Sequence, residues 1–523
     1  MLLLQANTTE LFSVRDLHLI APEIILTISA CVALVMEVVL PYRKSKWTAY
    51  FSLAGLALAA ASLLVAWQGA GRGGFPLDGF YGMIRLDGFA VVFKLIFLVS
   101  AALTIAISLR FLDAEGEQRG EFYALVLFAT TGMMFLASGY DLIILYISLE
   151  LMALTFYVLV AYTKRERRTN EAGMKYFLLG AFSSGVLLYG MSMIFGLAES
   201  TNLGDISRRA GEIMAASTSV VETSDIALKP LLLLGMVALA AGLFFKIAAV
   251  PFHMWAPDAY EGAPTPVTAF LSTGSKAASF ALFARIFLEA LGPMRVDWAP
   301  LLGVVAAVTI AVGNWAAVTQ TNSKRLLAYS SISNAGYLLL GIIAANNYGY
   351  TGLVIYLFVY TLMNMGAFGV IIALHRRGVG DQLDDLRGLG QKAPAVAVMM
   401  AIFMLSLGGI PGTGGFIGKY FLFGGLLQRG AIEQSNWYTW LAVWAILNTV
   451  VSFYYYFLFI RRMYLDEGAA DARPLSLSPA LQVALAVSVA GIIAIGVYPQ
   501  PFINIAQAVF NTIASVGGAV AAR

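Results

Sequence analysis

Five charged residues interrupt long apolar stretches of this chain: Glu150, Lys175, Lys246, Lys276 and Lys419. A charge at the centre of a membrane helix costs roughly 2.5–3.5 kcal/mol on insertion scales, so such residues are functional candidates by default. Burial disfavours the charged form of a lysine and a nearby carboxylate favours it, so a buried lysine with an acidic neighbour can exchange a proton near neutral pH. A row of glutamate and lysine side chains at mid-membrane therefore predicts proton transport.

The five candidates differ in depth. Glu150 lies about midway between Asp141 and Lys164, and its stem is too short to bring the carboxylate to the membrane surface. Three of the four lysines are central as well. Lys175 is nearer the end of its apolar stretch and could extend its ammonium group to the surface, although it could also relay charge between two deeper sites.

Four other charged residues in apolar stretches favour structural roles. Lys94 and Glu37 lie within a turn or two of the ends of their stretches, which predicts interfacial positions with the charged groups reaching water. Arg285 and Glu289 are four residues apart near a helix end, where a local ion pair is the simplest interpretation.

Two of the central lysines lie beside prolines that interrupt a predicted helix. Pro251 follows Lys246, and Pro411, with five nearby glycines, precedes Lys419. Proline removes a backbone hydrogen bond, and in a membrane the freed carbonyl groups are tolerated only where they line a cavity or are buried in protein. Two interrupted segments at corresponding places in two halves indicate inverted repeats with a midplane site.

The composition is that of a membrane protein. Of the 523 residues, 59% are hydrophobic and 12% are charged, whereas soluble domains average about 25% charged residues. The net charge of +3 gives no indication of a nucleic-acid partner; the predicted partners are the lipid bilayer and protons. The single cysteine and the three widely separated histidines exclude disulfides and cysteine-ligated clusters and predict no haem or metal site.

The hydropathy pattern predicts an all-α polytopic membrane protein with fourteen spans of about 20 apolar residues each. The predicted organisation is an N-terminal three-helix segment, two inverted five-helix repeats (spans 4–8 and 9–13) with broken spans 7 and 12, and a C-terminal helix, with boundaries at 1–119, 120–291, 299–462 and 463–523. The fourteen predicted spans are 18–40, 47–67, 86–109, 120–138, 141–162, 171–197, 229–256, 264–291, 299–320, 325–344, 349–374, 394–427, 438–462 and 477–508.

Basic residues concentrate in alternate loops. One set of loops contains "YRKSK" from Tyr42, "TKRERR" from Thr163, "SKR" from Ser323 and basic segments from His375 and Arg461. The positive-inside rule assigns these loops to the cytoplasm. With an even number of spans, both termini are then expected on the outer side of the membrane.

Four segments resemble the antiporter-like membrane subunits of respiratory complex I, which are related to the large subunits of Mrp-type Na⁺/H⁺ antiporters. Within that family the chain is most similar to the subunit N branch, and Lys419 supports this assignment because subunit M carries glutamate there. The similar segments are "SLELMALTFYVLVAYTKRERRTNEAGMKYFLLGAFSSG" from Ser148, "KIAAVPFHMWAPDAYEGAPTPVTAFLSTGSK" from Lys246, "KRLLAYSSISNAGY" from Lys324 and "SLGGIPGTGGFIGKYFLF" from Ser406.

The resemblance assigns roles to the charged residues. It implies that Glu150 and Lys246 form the ion pair of the first half-channel, that Lys175 or Lys276 bridges towards the centre, and that Lys419 faces the exit. The sequence departs from the family at two places, since Gly412 stands where a second proline is common and Asn334 stands where histidine or a similar residue is common.

The resemblance also implies partners and cofactors. The chain would be a non-redox subunit of the proton-translocating NADH:quinone oxidoreductase in the bacterial inner membrane. It would hold no cofactor itself, and NADH, FMN, iron–sulfur clusters and quinone would bind to partner subunits. Its membrane neighbours would be subunit M and small membrane subunits.

Three alternatives use the same residues differently. An Mrp-type Na⁺/H⁺ antiporter subunit would need the same charges but no electron donor. A structural subunit gains nothing from the insertion cost of mid-membrane charges, which counts against it. A solute transporter is disfavoured because no pair of spans offers an obvious substrate pocket.

Overall fold

The computed structural model describes residues 14–39, 46–73, 76–216, 228–375, 381–467 and 477–516. The predicted outer location of the two termini, and parts of the basic loops that begin at Tyr42, His375 and Arg461, fall outside the described residues.

The described chain is helical apart from one short hairpin. Strands β1 (Leu77–Gly79) and β2 (Ile84–Leu86) pair antiparallel in the loop between the second and third predicted spans. The helices are α1 (Val14–Leu19), α2 (Ala21–Val39), α3 (Lys46–Gly73), α4 (Gly88–Glu115), α5 (Gly120–Ser138), α6 (Leu142–Val160), α7 (Arg167–Ala198), α8 (Leu203–Ala216), α9 (Lys229–Ile247), α10 (Trp255–Gly262), α11 (Thr265–Phe270), α12 (Lys276–Ala284), α13 (Arg295–Val318), α14 (Ser323–Ala344), α15 (Asn347–Leu374), α16 (Leu389–Lys392), α17 (Pro394–Gly408), α18 (Gly414–Ile432), α19 (Asn436–Tyr464), α20 (Pro479–Val497) and α21 (Gln500–Val516).

The all-α polytopic fold class is confirmed. Twelve helices in the described part of the chain are long and apolar enough to cross a membrane, and each of them overlaps one of the fourteen predicted spans. The other two predicted spans, 264–291 and 394–427, are divided into shorter helical segments. The total of fourteen spans and the inverted repeats therefore stay predictions.

Helices α14 and α15 form the centre of the helix bundle. In their most apolar stretches 94% and 89% of the residues are buried, compared with 33% in α2, α19 and α20. Because other helices enclose α14 and α15 on all sides, their polar side chains do not face lipid and can form hydrogen bonds with protein groups. Ser330, Ser331 and Asn334 of α14 contact side chains of neighbouring helices, and they are central to the site described below.

Three details differ from the sequence predictions. The last predicted span, 477–508, ends at Val497, and a separate helix, α21, begins at Gln500. The long loop after α7 contains an amphipathic helix, α8, which buries Leu203, Ile206 and Ile213. Hydropathy alone did not predict α8 or the β-hairpin because neither contains a continuous apolar stretch.

The two predicted helix breaks are present, and their local geometry is similar. Helix α9 ends at Ile247 and Ala248 adopts a left-handed conformation with φ of 57°, whereas α17 ends at Gly408 and Gly409 has φ of 87°. In each case the left-handed residue and the one after it donate backbone hydrogen bonds to the last turn of the helix, which is how such C-terminal caps satisfy free carbonyl groups.

The predicted eighth span contains two π-helical segments, Leu271–Ser275 and Arg285–Ala290, on either side of α12. Short π-helical segments inside α-helices occur frequently at functional sites. Lys276 is the first residue of α12 and follows the first of these segments directly. The helix that carries Lys276 is therefore irregular on both sides of this residue.

Candidate proton path

Lys246 is buried at the first helix break. It lies in the last turn of α9, where the partial negative charge of the helix end favours an ammonium group. Its side chain is only 7% exposed, and no described residue accepts a hydrogen bond from its Nζ atom. The nearest aromatic contacts are the rings of Phe245 and Tyr157, whose centroids lie 5.9 and 6.0 Å from Nζ.

Glu150 lies on α6 and faces the same region. Its Oε1 atom is buried, and none of the described groups donates a hydrogen bond to it. The structure does not join Glu150 and Lys246 in a direct contact, but Glu150 is a carboxylate near enough to act electrostatically on Lys246 and on the hydroxyl of Tyr157. The ion pair implied by the family resemblance stays a prediction.

Lys276 is buried and held by hydrogen bonds. Its side chain is 3% exposed, and Nζ donates to both the backbone carbonyl and the hydroxyl of Ser331 on α14, each at 2.5 Å. The same hydroxyl lies 3.3 Å from the Tyr260 hydroxyl on α10. Ser331 therefore connects Lys276 to the second half of the broken helix that carries Lys246.

Aromatic side chains fill the space between the Lys246 and Lys276 regions. The ring of Tyr157 is 4.9 Å from that of Tyr176, which stacks on Trp255 at 4.6 Å. Trp255 in turn contacts Tyr260, with ring centroids 6.2 Å apart. These rings contain hydroxyl groups at several positions, so the region is apolar but not free of groups that can bind a proton or a water molecule.

Lys419 occupies the second helix break. Its Nζ atom donates to the carbonyl groups of Leu407 at 3.0 Å and Gly408 at 3.2 Å, which are the last two residues of α17. The side chain is 4% exposed, and the ring of Tyr337 lies 4.9 Å from Nζ, within the range of a cation–π interaction. The free carbonyls at the end of α17 thus bind the ammonium group supplied by α18.

Lys175 is placed apart from the three buried lysines. Its side chain is 46% exposed and contacts Glu171 at 2.8 Å and Asp258 at 3.0 Å. Arg325 also contacts Asp258, at 3.1 Å, so Lys175 is part of a surface ion-pair network of α7, α10 and α14. The structure does not bring Lys175 into the buried row, and of the two bridging residues named from the sequence only Lys276 lies there.

A polar cluster between Lys276 and Lys419 was not predicted from the sequence. The hydroxyls of Ser330 and Tyr456 are 2.5 Å apart, and the side-chain amide nitrogen of Asn334 donates to Ser330 and Tyr456. Tyr356 donates to the amide oxygen of Asn334 at 2.5 Å. We call these four residues the Asn334 cluster.

The sequence offered one signal for this cluster. Asn334 stands out because the family often has a titratable residue at its position, but the two tyrosines lie in apolar stretches and carry no charge. A search for charged residues at mid-membrane therefore misses them. Their role depends on which helices lie next to α14, which the sequence does not reveal.

The expectation that Lys94 reaches the interface is wrong. Its Nζ atom lies 2.6 Å from Glu23 Oε1, and both side chains are fully buried. The pair lies between α2 and α4, although its angles do not meet the geometry of a hydrogen bond. Lys94 lies near a helix end, but α2 covers it laterally and supplies the carboxylate. Glu37 accepts a hydrogen bond from the backbone of Gly120 at the start of α5.

The predicted ion pair between Arg285 and Glu289 is present, with a contact of 2.5 Å. Arg285 also forms two hydrogen bonds of 2.8 Å with Asp87 and donates to the carbonyl of Ala137 at the end of α5. Asp87 caps the start of α4. Arg285 therefore connects the start of α4, the end of α5 and the π-helical segment after α12. This cluster has a clear structural role.

Comparison with known proteins places this arrangement in a family. Residues 139–448 match the family model described as NADH:quinone oxidoreductase/Mrp antiporter, TM. The chain is 48% identical over 504 residues to NADH-quinone oxidoreductase subunit N 1 of Koribacter versatilis, covering 95% of each protein. It is 41% identical to NADH-quinone oxidoreductase subunit N of Trichlorobacter lovleyi, covering 96% of this chain and 98% of that protein.

Solved structures agree with this assignment. A chain of respiratory complex I from Thermus thermophilus with bound aureothin superposes with a TM-score of 0.75 at 32% identity, covering 92% of this chain and 98% of that chain. A chain of the Mrp complex from Dietzia has a TM-score of 0.77 at 21% identity, covering 95% and 97%, and shows a shared fold. This chain therefore belongs to the NADH:quinone oxidoreductase/Mrp antiporter transmembrane family, in agreement with the resemblance found in its sequence.

Proposed function

We propose that this chain is a proton-translocating membrane subunit of NADH:quinone oxidoreductase (complex I). The observation that carries the proposal is that Lys246, Lys276 and Lys419 are each at least 93% buried, on three different helices of an all-helical membrane protein. A structural subunit has no use for three such charges, given their insertion cost. The full-length similarity to subunits N of NADH-quinone oxidoreductase supports complex I as the assembly.

The charges suggest how protons move. A change of charge near Glu150 would alter how strongly this carboxylate stabilises the ammonium form of Lys246. A proton released by Lys246 would pass to Lys276 and then towards Lys419. The work is substantial, because moving one charge across the membrane costs about 2.3 kcal/mol per 100 mV, and quinone reduction in other subunits would supply it.

We further propose the partners and location that follow from this function. Subunit M and small membrane subunits would be the neighbours of this chain, and NADH, FMN, iron–sulfur clusters and quinone would bind to partner subunits. The bacterial relatives support the inner (cell) membrane of a bacterium, and the distribution of basic loops supports an orientation with both termini on the outer side. In this assembly the chain contributes to the translocase without redox chemistry of its own.

Purification of the tagged chain from native membranes in mild detergent tests the proposal. NADH:quinone activity, flavin and iron–sulfur signals are expected in the same multi-subunit eluate. If only other hydrophobic subunits co-purify and no redox centre is present, the proposal is wrong, and an Mrp-type Na⁺/H⁺ antiporter becomes the better assignment. A Na⁺-dependent pH gradient in reconstituted vesicles would then be the next measurement.

A further inference from the structure

The Asn334 cluster lies between two of the buried lysines. On one side, Ser331 accepts both hydrogen bonds from Lys276 and is followed on α14 by a turn that carries Ser333 and Asn334. On the other side, the Tyr456 ring lies near Gly408, whose carbonyl accepts a hydrogen bond from Lys419; a Cβ atom at Gly408 would be 3.8 Å from this ring. The cluster therefore lies next to Ser331, which holds Lys276, and near Gly408, which holds Lys419.

Tyr356 also lies close to Lys419. A side chain at Gly418, the residue before Lys419, would approach the Tyr356 ring to 2.6 Å, so the absence of a side chain at Gly418 is what allows the ring to pack there. Tyr356 thus lies beside the chain neighbour of Lys419, and Tyr456 lies near Gly408, whose carbonyl accepts a hydrogen bond from the Lys419 ammonium group. Their hydroxyl groups meet at Asn334, on a helix that is 94% buried in its most apolar stretch.

The two tyrosines differ in what their hydroxyls contact. The Tyr456 hydroxyl is 2.5 Å from the Ser330 hydroxyl, and a hydroxyl can accept one proton while giving up another. The Tyr356 hydroxyl contacts the amide oxygen of Asn334. An amide cannot exchange protons in this way, so the contact through Tyr356 orients the cluster but does not conduct through it.

We propose that Tyr456 carries the proton between Lys276 and Lys419, and that Asn334 is a positioning residue that orients the Tyr456 hydroxyl. This inference rests on the proposed function. In the transfer, Lys276 changes from ammonium to amine and Lys419 from amine to ammonium. The hydroxyls of Ser331, Ser330 and Tyr456 each receive one proton and release one, and Asn334 keeps its protons. The structure shows no direct hydrogen bond between Ser331 and Ser330 or between the Tyr456 hydroxyl and Lys419, so a water molecule is needed for each of these two steps.

Tyr456→Phe in the intact complex is the main test, and Tyr455→Phe is its matched control. The two tyrosines are adjacent on α19, both are buried and their ring centroids are 4.5 Å apart, but the Tyr455 hydroxyl donates to Asn314 at 2.9 Å and not to Ser330. We expect Tyr456→Phe to lower NADH-driven proton uptake in membrane vesicles roughly tenfold, less than for a lost catalytic acid or base because water can partly replace the hydroxyl. Tyr455→Phe should leave uptake unchanged.

A rescue experiment separates proton transfer from structural damage. Histidine can itself accept and release a proton, so Asn334→His combined with Tyr456→Phe is expected to restore most of the lost uptake. If the single Tyr456→Phe variant and the Tyr455→Phe control behave alike, or if the double variant is no better than Tyr456→Phe, the proposal is wrong. Tyr356→Phe, which affects only orientation, is expected to lower uptake by less than Tyr456→Phe.

One more variant distinguishes failure of this inference from failure of the proposed function. Lys246→Met is measured in the same vesicles. If Lys246→Met lowers proton uptake and Tyr456→Phe does not, only the role of Tyr456 is refuted. If Lys246→Met leaves uptake unchanged, the row of lysines is not the proton path and the proposed function itself fails.

Discussion

The two helix breaks use the same local geometry but treat their lysines differently. In each break a helix ends in a left-handed residue, at Ala248 after α9 and at Gly409 after α17. Lys419 comes from the helix after the break and binds the two carbonyls that the break exposes. Lys246 belongs to the helix before the break, and none of the described groups accepts a hydrogen bond from it.

This difference suggests different roles for the two lysines. A buried ammonium group with two carbonyl acceptors is stabilised by fixed dipoles, so its charge depends little on a movable neighbour. The charge of Lys246 depends instead on the helix end and on Glu150, the carboxylate that acts on it. The first break is therefore the better place for a partner subunit to control protonation, and the second is the better place to hold a proton that has arrived.

The largest expected effect is that of Lys246→Met. We expect NADH-driven proton uptake in vesicles to fall roughly a hundredfold, the range seen when a positioned acid or base is removed. The amount of assembled complex should not change, because no buried group loses a hydrogen-bond partner. Lys229→Met is the matched control, since Lys229 is on the same helix but contacts Asp297 near its start. Equal proton uptake in the Lys246→Met and Lys229→Met variants would contradict the role given to Lys246 at the first helix break.

Lys419→Met is expected to lower proton uptake and also to destabilise the protein. The carbonyls of Leu407 and Gly408 would lose their donor, and a buried polar group without a partner costs about 1–3 kcal/mol. Thermal inactivation of the assembled complex should therefore occur at a lower temperature for this variant than for Lys246→Met. If the two variants are equally stable, the hydrogen bonds of Lys419 do not stabilise the protein. The proposed difference between the two helix breaks would then have no physical basis.

Replacing Gly409 by alanine and Ala248 by glycine, at the ends of α17 and α9, should change the stability of the protein in opposite directions. Gly409→Ala places a Cβ atom at φ of 87°, only 3.1 Å from Cδ of Lys419, and should destabilise the protein by about 1–2 kcal/mol. Ala248→Gly removes a Cβ atom from a left-handed position and should stabilise it by a few tenths to about 1 kcal/mol. Thermal inactivation of both variants measures the difference, and a shift in the same direction for both would refute the equivalence of the two breaks.

The smallest expected effect is that of Lys175→Met. Its contacts to Glu171 and Asp258 are exposed, and exposed ion pairs contribute little, so proton uptake should stay within a factor of about two of the unmodified complex. The result tests which of the two residues, Lys175 or Lys276, bridges towards the centre, a choice that the sequence left open. A loss of uptake as large as that expected for Lys246→Met would return Lys175 to the proton path.

Much of the site was predictable because membrane helices obey a simple rule. Charged residues and prolines stand out against an apolar background, which is why Glu150, Lys246, Lys276 and Lys419 and both helix breaks could be identified from the sequence. Insertion cost depends on depth along a helix, and depth can be read from the distance to the ends of an apolar stretch. The same rule misplaced Lys94, because depth says nothing about which helix lies beside it.

The sequence by itself determined the class of fold, the family and the charged residues of the candidate proton path. The tertiary structure alone decided their partners: Ser331 for Lys276, the end of α17 for Lys419, and the Asn334 cluster between them. Tyr356 and Tyr456 come from helices far apart in sequence, and their side chains carry no charge that would mark them within an apolar stretch. Hydrogen bonds between helices depend on lateral neighbours and rotation about the helix axis, which are set by packing of the whole bundle.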